Sequence, residues 1–220
     1  MMQARREFLE TGHYAKLSET LAKVAMDSVP GSDSITLLDM GCGEGYYTDG
    51  IRKALPEAAQ VYGLDISKVA VRYASKRYPE CDFSVASSYR LPFADNSLDV
   101  IVKVYAPSSE DELLRCLKPG GVLISVTPGE RHLYQLRERI YYNVRPHQDE
   151  AEKFSKLSLL TQTPLHYEMT LEKGVGLRLL QMTPFAWKAT DELRNDLSER
   201  KLFLCEAHFT ITRYENAHSK

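Results

Sequence analysis

Ile35-Thr36-Leu37-Leu38-Asp39-Met40-Gly41-Cys42-Gly43-Glu44-Gly45-Tyr46-Tyr47-Thr48 is the stretch on which the reading of this chain turns. Its apolar start, broken only by Thr36, reads as a buried parallel strand, and the run from Tyr46 to Ala54 as an amphipathic helix. A strand, a glycine-rich turn and a helix are how a doubly wound α/β sheet presents a nucleotide site at the carboxyl end of its first strand. Gly41 and Gly43 have no Cβ, so the backbone can turn sharply there and approach a ligand closely. The spacing is G-x-G-x-G, not the dinucleotide G-x-G-x-x-G, and no Lys-Ser/Thr pair follows to hold a phosphate. Asp39 before the turn and Glu44 within it suit a cationic ligand better than a pyrophosphate.

The surrounding composition bounds what the chain can be. Its 220 residues suit one α/β domain with room for an insertion. An apolar content of 43% and a charged content of 26% are those of an ordinary globular protein. No apolar run is long enough to cross a bilayer and Met1 to Glu10 has no signal-peptide core, so no membrane association and a cytoplasmic location are expected. Cys42, Cys81, Cys116 and Cys205 are scattered, which points to reduced thiols and to no metal site. The net charge of −2 counts modestly against nucleic acid as partner, although a local basic patch would suffice.

Taken in order, residues 1–34 read as helical, interrupted at Gly12-His13-Tyr14 and ending in a turn over 29–33. Val61 to Ile66 is a second strand with Asp65 at its carboxyl end, where an acid accepts hydrogen bonds from ribose hydroxyls. A plain helix N-cap before Ser67 is the competing role. Further strands are expected at Cys81–Ala86, Val100–Tyr105 and Val122–Val126, the last entered through a turn at Leu117–Gly121. Ser87 and Ser88, after the third strand, suit contact with an adenine ring. Strands alternate with helical segments through Pro128, which predicts a parallel α/β sheet. A core over 35–128 would then be followed, over 129–220, by a substrate-side insertion and C-terminal strands of the same domain.

Asp39 with the glycines, Asp65, the Leu91-Pro92-Phe93 to Asp99 loop and Leu117-Lys118-Pro119-Gly120-Gly121 together resemble the class I S-adenosylmethionine-dependent methyltransferases. The resemblance implies a Rossmann-like fold, a mostly parallel seven-stranded sheet with helices on both faces, and S-adenosylmethionine as cofactor. The methyl acceptor would then be met at Val104-Tyr105-Ala106-Pro107-Ser108. No cysteine thiolate is present there to activate a pyrimidine carbon, and Tyr-Ala-Pro is not the clamp of exocyclic amino-group enzymes. Oxygen, carboxylate and ring-nitrogen acceptors remain. Arg131, His132, Arg137, Arg139, Arg145 and His147 interleave with Tyr134, Tyr141 and Tyr142. Cations for phosphates beside aromatic platforms are what an RNA loop requires, and an amphipathic helix over Leu133–Tyr142 with a wet basic face accounts for the pattern equally well.

Gly41 to Thr48, Val85-Ala86-Ser87-Ser88, Tyr105-Ala106-Pro107 and Leu180-Gln181-Met182-Thr183-Pro184-Phe185-Ala186-Trp187 resemble the bacterial 23S ribosomal RNA guanine-N1 methyltransferases, along nearly the whole chain. Trp187 at the end of the last motif is expected to pack into the sheet. The resemblance implies methylation of N1 of one guanine in a hairpin of 23S rRNA. It implies cofactor contacts from Tyr14, Asp39, Gly41, Cys42, Gly43, Glu44, Tyr47, Thr48, Asp65, Ile66, Ser87 and His132, and RNA contacts from Tyr105, Pro107, Arg131, Arg137, Arg139 and Arg145. His132 is the candidate general base, because guanine N1 must lose its proton to become a nucleophile. The family's members begin with a small zinc-binding domain that this sequence does not include, and the resemblance also implies a homodimer. Two rivals stay open: a small-molecule O- or carboxyl-methyltransferase with 146–167 as a lid, and a non-catalytic cofactor-binding partner subunit.

Overall fold

Thr36–Met40 (β1) has every residue from Leu37 buried, as a central parallel strand covered on both faces must. In the computed structural model, which describes residues 2–32, 34–147 and 151–217, β1 lies between two later strands. The elements run Met2–Glu10 (α1), Ala15–Asp27 (α2), β1, Tyr46–Ala54 (α3), Gln60–Asp65 (β2), Lys68–Arg77 (α4), Asp82–Val85 (β3) and Leu98–Val104 (β4). Then come Glu110–Cys116 (α5), Leu117–Pro128 (β5), Tyr134–Arg137 (α6), Ser158–Glu172 (β6), Val175–Met182 (α7), Asp191–Glu199 (α8) and Leu202–Glu215 (β7). The sheet has seven strands in the order β3-β2-β1-β4-β5-β7-β6, and β1/β2, β1/β4, β2/β3 and β4/β5 all pair in parallel. The expected mostly parallel seven-stranded α/β sheet is therefore what forms.

The chain divides into two compact units, with β6 and β7 each contributing to both. The first comprises Leu17–Thr127, Ala151–Thr163 and the chain from Ile211. Its core gathers Leu38, Met40, Leu64, Leu98, Ile101 and Leu123 from the parallel strands, with Leu113, Leu157 and Tyr214. The second comprises the chain up to Lys16, the stretch from Pro128, and Pro164–Thr210. There α7 packs against α1 and α8, and the Arg178 guanidinium donates to the Glu7 carboxylate at 3.1 Å.

The helical break expected at Gly12-His13-Tyr14 separates α1 from α2, with Gly12 at φ +80°. Asp33, in the turn expected over 29–33, lies outside the described residues. Three local expectations change. The turn expected at Leu117–Gly121 is instead the start of β5, because Asn216 exchanges backbone hydrogen bonds with Gly120 and Gly121 and its side chain donates to the Leu117 carbonyl. The helix expected over Leu133–Tyr142 shrinks to α6. Leu133 is held at φ +53° while its amide donates to Glu206, so the helix cannot begin earlier. Trp187 does not pack into the sheet; it is 75% exposed.

Candidate functional site

Gly41, Gly43 and Gly45 all sit in the left-handed region, at φ +78°, +56° and +83°. Side chains rarely adopt that conformation, so the G-x-G-x-G spacing is a backbone requirement of the turn. Gly41 carries a second constraint, since a Cβ there would lie 2.6 Å from the Cβ of Ala106. The amides of Gly41 and Cys42 both donate to the Leu64 carbonyl, at 2.7 and 3.0 Å, which folds the turn back over the end of β2. Asp65 closes it: one carboxylate oxygen accepts from Gly43 N at 2.9 Å and the other from Ser67 N at 2.8 Å. The N-cap of α4 is Ser67, whose hydroxyl accepts from Ala70 N. Each Asp65 oxygen keeps a further lone pair for an incoming hydroxyl.

Asp39 and Thr48 are both buried, and the Thr48 hydroxyl donates to the Asp39 carboxylate at 2.6 Å. This bond ties the end of β1 to the first turn of α3 and holds the glycine turn between them. Cys42 and Tyr47 are buried and Glu44 is half-buried. Tyr47 stacks edge-on against Tyr46 with ring centres 5.2 Å apart.

Past the turn, at the carboxyl ends of β1, β2 and β4, lies a cavity of about 310 Å³ lined by Gly41, Asp65, Ile66, Ser87, Tyr105 and Pro107. Ile66 is 78% exposed, an apolar platform left uncovered beside a carboxylate. The volume is within the range of small-molecule sites. A bare glycine edge, a carboxylate for hydroxyls and an aliphatic surface for a ring fit the adenosine of S-adenosylmethionine. Tyr105, on the opposite lip, is held at φ +57°, unfavourable for a residue with a bulky side chain. Such backbone conformations concentrate at functional sites.

A residue that the sequence reading passed over supports this lip. Lys103 is 3% exposed, and its ammonium donates to the Ala106 carbonyl at 3.3 Å, the Ser108 hydroxyl at 3.1 Å and the Glu152 carboxylate at 2.6 Å. The other Glu152 oxygen accepts from Ser125 on β5, and its backbone carbonyl from the Tyr214 hydroxyl. The pair, buried at its Lys103 end, pins the turn after β4 that carries Tyr105. A lone cation in the otherwise apolar run Val100-Ile101-Val102-Lys103-Val104 was the available signal.

The chain is 32% identical over 209 residues to the Bacillus subtilis (strain 168) protein named "Putative 23S rRNA (guanine-N(1)-)-methyltransferase YxjB", covering 91% of this chain and 74% of that one. It is 31% identical over 205 residues to the Streptomyces fradiae "23S rRNA (guanine(748)-N(1))-methyltransferase", covering 90% and 73%. The chain belongs to the 23S rRNA guanine-N1-methyltransferase family. Within this family member, residues 37–121 also match the general methyltransferase domain. Among solved structures, one chain from the complex with the Haloferax volcanii Trm112 methyltransferase activator aligns over 99% of this chain and 95% of its own, at TM-score 0.60 and 21% identity. A geranyl diphosphate methyltransferase bound to S-adenosylmethionine aligns over 92% and 86%, at TM-score 0.55 and 16% identity. Both likenesses concern the fold.

In this guanine-N1-methyltransferase relative the other expected residues lie in the second unit. Tyr14 and His132 belong to one buried aromatic cluster, with Tyr14 edge-on to Phe8 and Phe209 at 5.0 Å and His132 4.8 Å from Phe209. The His208 amide donates to Nδ1 of His132 at 3.3 Å, so the neutral ring carries its proton on Nε2. Burial, aided by His147, pushes its pKa down to about 3. Nδ1 is thus occupied by a backbone amide, and burial makes the ring a weak base.

The basic stretch is largely committed within the protein. Arg131 forms a two-nitrogen pair with Glu206 and lies over the Tyr134 ring, and Arg139 pairs with Asp196 at 2.5 Å. Arg137 is 9% exposed and donates to the Arg145 carbonyl, while its Nη1 is buried without a hydrogen-bond partner. Among the described residues no group of three or more His, Cys, Asp or Glu side chains is placed to hold a metal, and no helix is long and apolar enough to cross a membrane.

Proposed function

We propose that this protein methylates N1 of a guanine in a hairpin of 23S rRNA, using S-adenosylmethionine. The observation that carries the reading is the reach of its similarity to relatives named for that reaction. Identity to them extends over nine-tenths of the chain, beyond the residues 37–121 shared with methyltransferases in general.

S-adenosylmethionine, when bound, supplies a sulfonium methyl open to in-line attack. The glycine turn from Gly41 to Gly45 lets the ligand lie against the backbone, Asp65 accepts from the ribose hydroxyls, and Ile66 with Ser87 borders the adenine. Asp39 and Thr48 act through the turn they brace. The contacts proposed for Tyr14, Glu44, Tyr47 and His132 rest on the family resemblance. Tyr105 and Pro107 border the acceptor guanine, whose pairing edge must be free of its partner strand before N1 can approach. Positioning is the main contribution in such a displacement.

The test is a reverse-transcription stop map of 23S rRNA from a strain lacking its own N1-methylating enzyme, with and without this chain expressed. A new stop one nucleotide before a single hairpin guanine is expected. No stop, with methyl transfer to carboxylates or phenols instead, would replace this reading with the small-molecule one.

A further inference from the structure

We infer that the exposed face around Trp187 in the second unit is a stacking site for an unpaired base of the RNA, separate from the base that is methylated. The inference rests on the rRNA reading above and deepens it by naming a contact surface. Trp187 is the chain's single tryptophan and is 75% exposed, in a short 3₁₀ turn, Ala186–Lys188, after α7. Large indole rings are seldom left so open without use, because covering one yields more than covering almost any other side chain. Its surroundings indicate what covers it. The Lys188 ammonium lies 5.2 Å from the Trp187 ring and 4.8 Å from the Tyr141 ring, and Tyr141 meets Phe185 edge-on at 6.2 Å. The next residue, Tyr142, is fully exposed.

Trp187 is also one wall of an open cavity of about 460 Å³, whose other walls include Gln3, Glu7, Gln181 and Arg194. Glu7 is held by Gln3 at 2.9 Å and by Arg178 at 3.1 Å, and Arg194 donates to the Ala186 carbonyl, so the rim is pre-arranged. An aromatic face, amides and a carboxylate able to meet a base edge, and a lysine and an arginine for the adjoining phosphates are the chemistry of single-stranded RNA recognition. A protein partner would call for a drier patch with fewer charges at its centre. Arg131 and Arg139 are paired with Glu206 and Asp196, whereas the Lys188 ammonium on this face lies between two aromatic rings.

Because Trp187 is the only tryptophan, its fluorescence reports the site directly. The full chain would be titrated with an RNA hairpin carrying unpaired loop bases and, separately, with a blunt fully paired duplex of equal length. Quenching by the hairpin and not the duplex is expected, with a midpoint matching the dissociation constant from filter binding. Trp187→Ala should raise that constant about tenfold, the scale of one lost base stack, and Trp187→Phe should restore most of it. S-adenosylmethionine affinity should be the same in all three proteins, which separates this from misfolding. Hairpin binding without quenching, or an unaltered constant in Trp187→Ala, overturns the inference even if the 23S stop is found. Quenching by the hairpin in a protein that yields no stop would uphold the RNA surface and remove the guanine assignment. Emission that shifts with protein concentration alone would give the patch to a second copy of this chain and overturn it.

Discussion

The glycine turn over 41–45 and the basic stretch over 130–147 looked equally rich in chemistry as sequence, and they fold by different logics. In the turn, three left-handed glycines and two carboxylate bonds gather at the ends of two neighbouring strands, β1 and β2. What the motif needs is supplied almost wholly by the motif and the strand beside it. In the basic stretch, side-chain partners come from far along the chain: Arg131 is held by Glu206 and Arg139 by Asp196. Residues that suggested an open cationic surface are thereby paired with carboxylates distant in the chain. A local backbone pattern can be read as a site, whereas a run of charges can be read only when its counter-charges are known.

That contrast can be broken or sharpened by substitution, beginning with the largest effect. His132 has its folded pKa pushed down to about 3 by burial, below the ordinary 6.5 that it regains on unfolding. The stability from keeping it neutral is present above pH 6.5 and is lost as pH falls towards 3, roughly 5 kcal/mol in all. His132→Phe should flatten that fall, read by urea unfolding at a series of pH values. An unchanged acid slope would show that the ring is not the internal brace described here.

Glu152→Ala strands the Lys103 ammonium in the interior and should destabilise the fold by about 3 kcal/mol, with most of it recovered in Lys103→Met/Glu152→Leu. If the double variant is as unstable as the single one, the pair is not what supports the lip at Tyr105.

Gly41→Ala brings a Cβ against Ala106 and forces a left-handed alanine. The cofactor dissociation constant should rise about thirtyfold, roughly 2 kcal/mol, by calorimetric titration with S-adenosylmethionine. Gly12→Ala, equally left-handed but with nothing near its Cβ, is the control and should leave that constant alone.

The smallest effect belongs to Glu206, whose carboxyl is held down at about 2, first by Arg131 and then by Gln135 and His166. Its contribution is present above the ordinary carboxylate pKa of about 4.3 and disappears as pH falls towards 2. Solvent screening limits it to on the order of 1 kcal/mol. Glu206→Gln should lower the melting temperature slightly at pH 7, and by less in high salt.

Strand, turn and helix around Asp39 were legible because burial on both faces and left-handed φ values restrict residue types at each position. Asp65 was legible for the same reason, at the end of an apolar strand. Lys103 was visible as a cation within an apolar run, but its three partners lie in the following turn and 49 residues further on. The strength of β5 at Leu117 depended on Asn216, and the shortness of α6 on Glu206. Neither is within reach of any local pattern.

By itself, then, the sequence determined the parallel sheet, the order of its nucleotide-binding elements and the cavity-forming turn, since these follow from burial and backbone sterics over a dozen residues. Tertiary structure alone decided which charges are spent inside the protein, that His132 keeps its proton on Nε2, and that the sole tryptophan faces outward. Those outcomes depend on groups distant in the chain meeting at hydrogen-bond range, and only the folded packing brings them there.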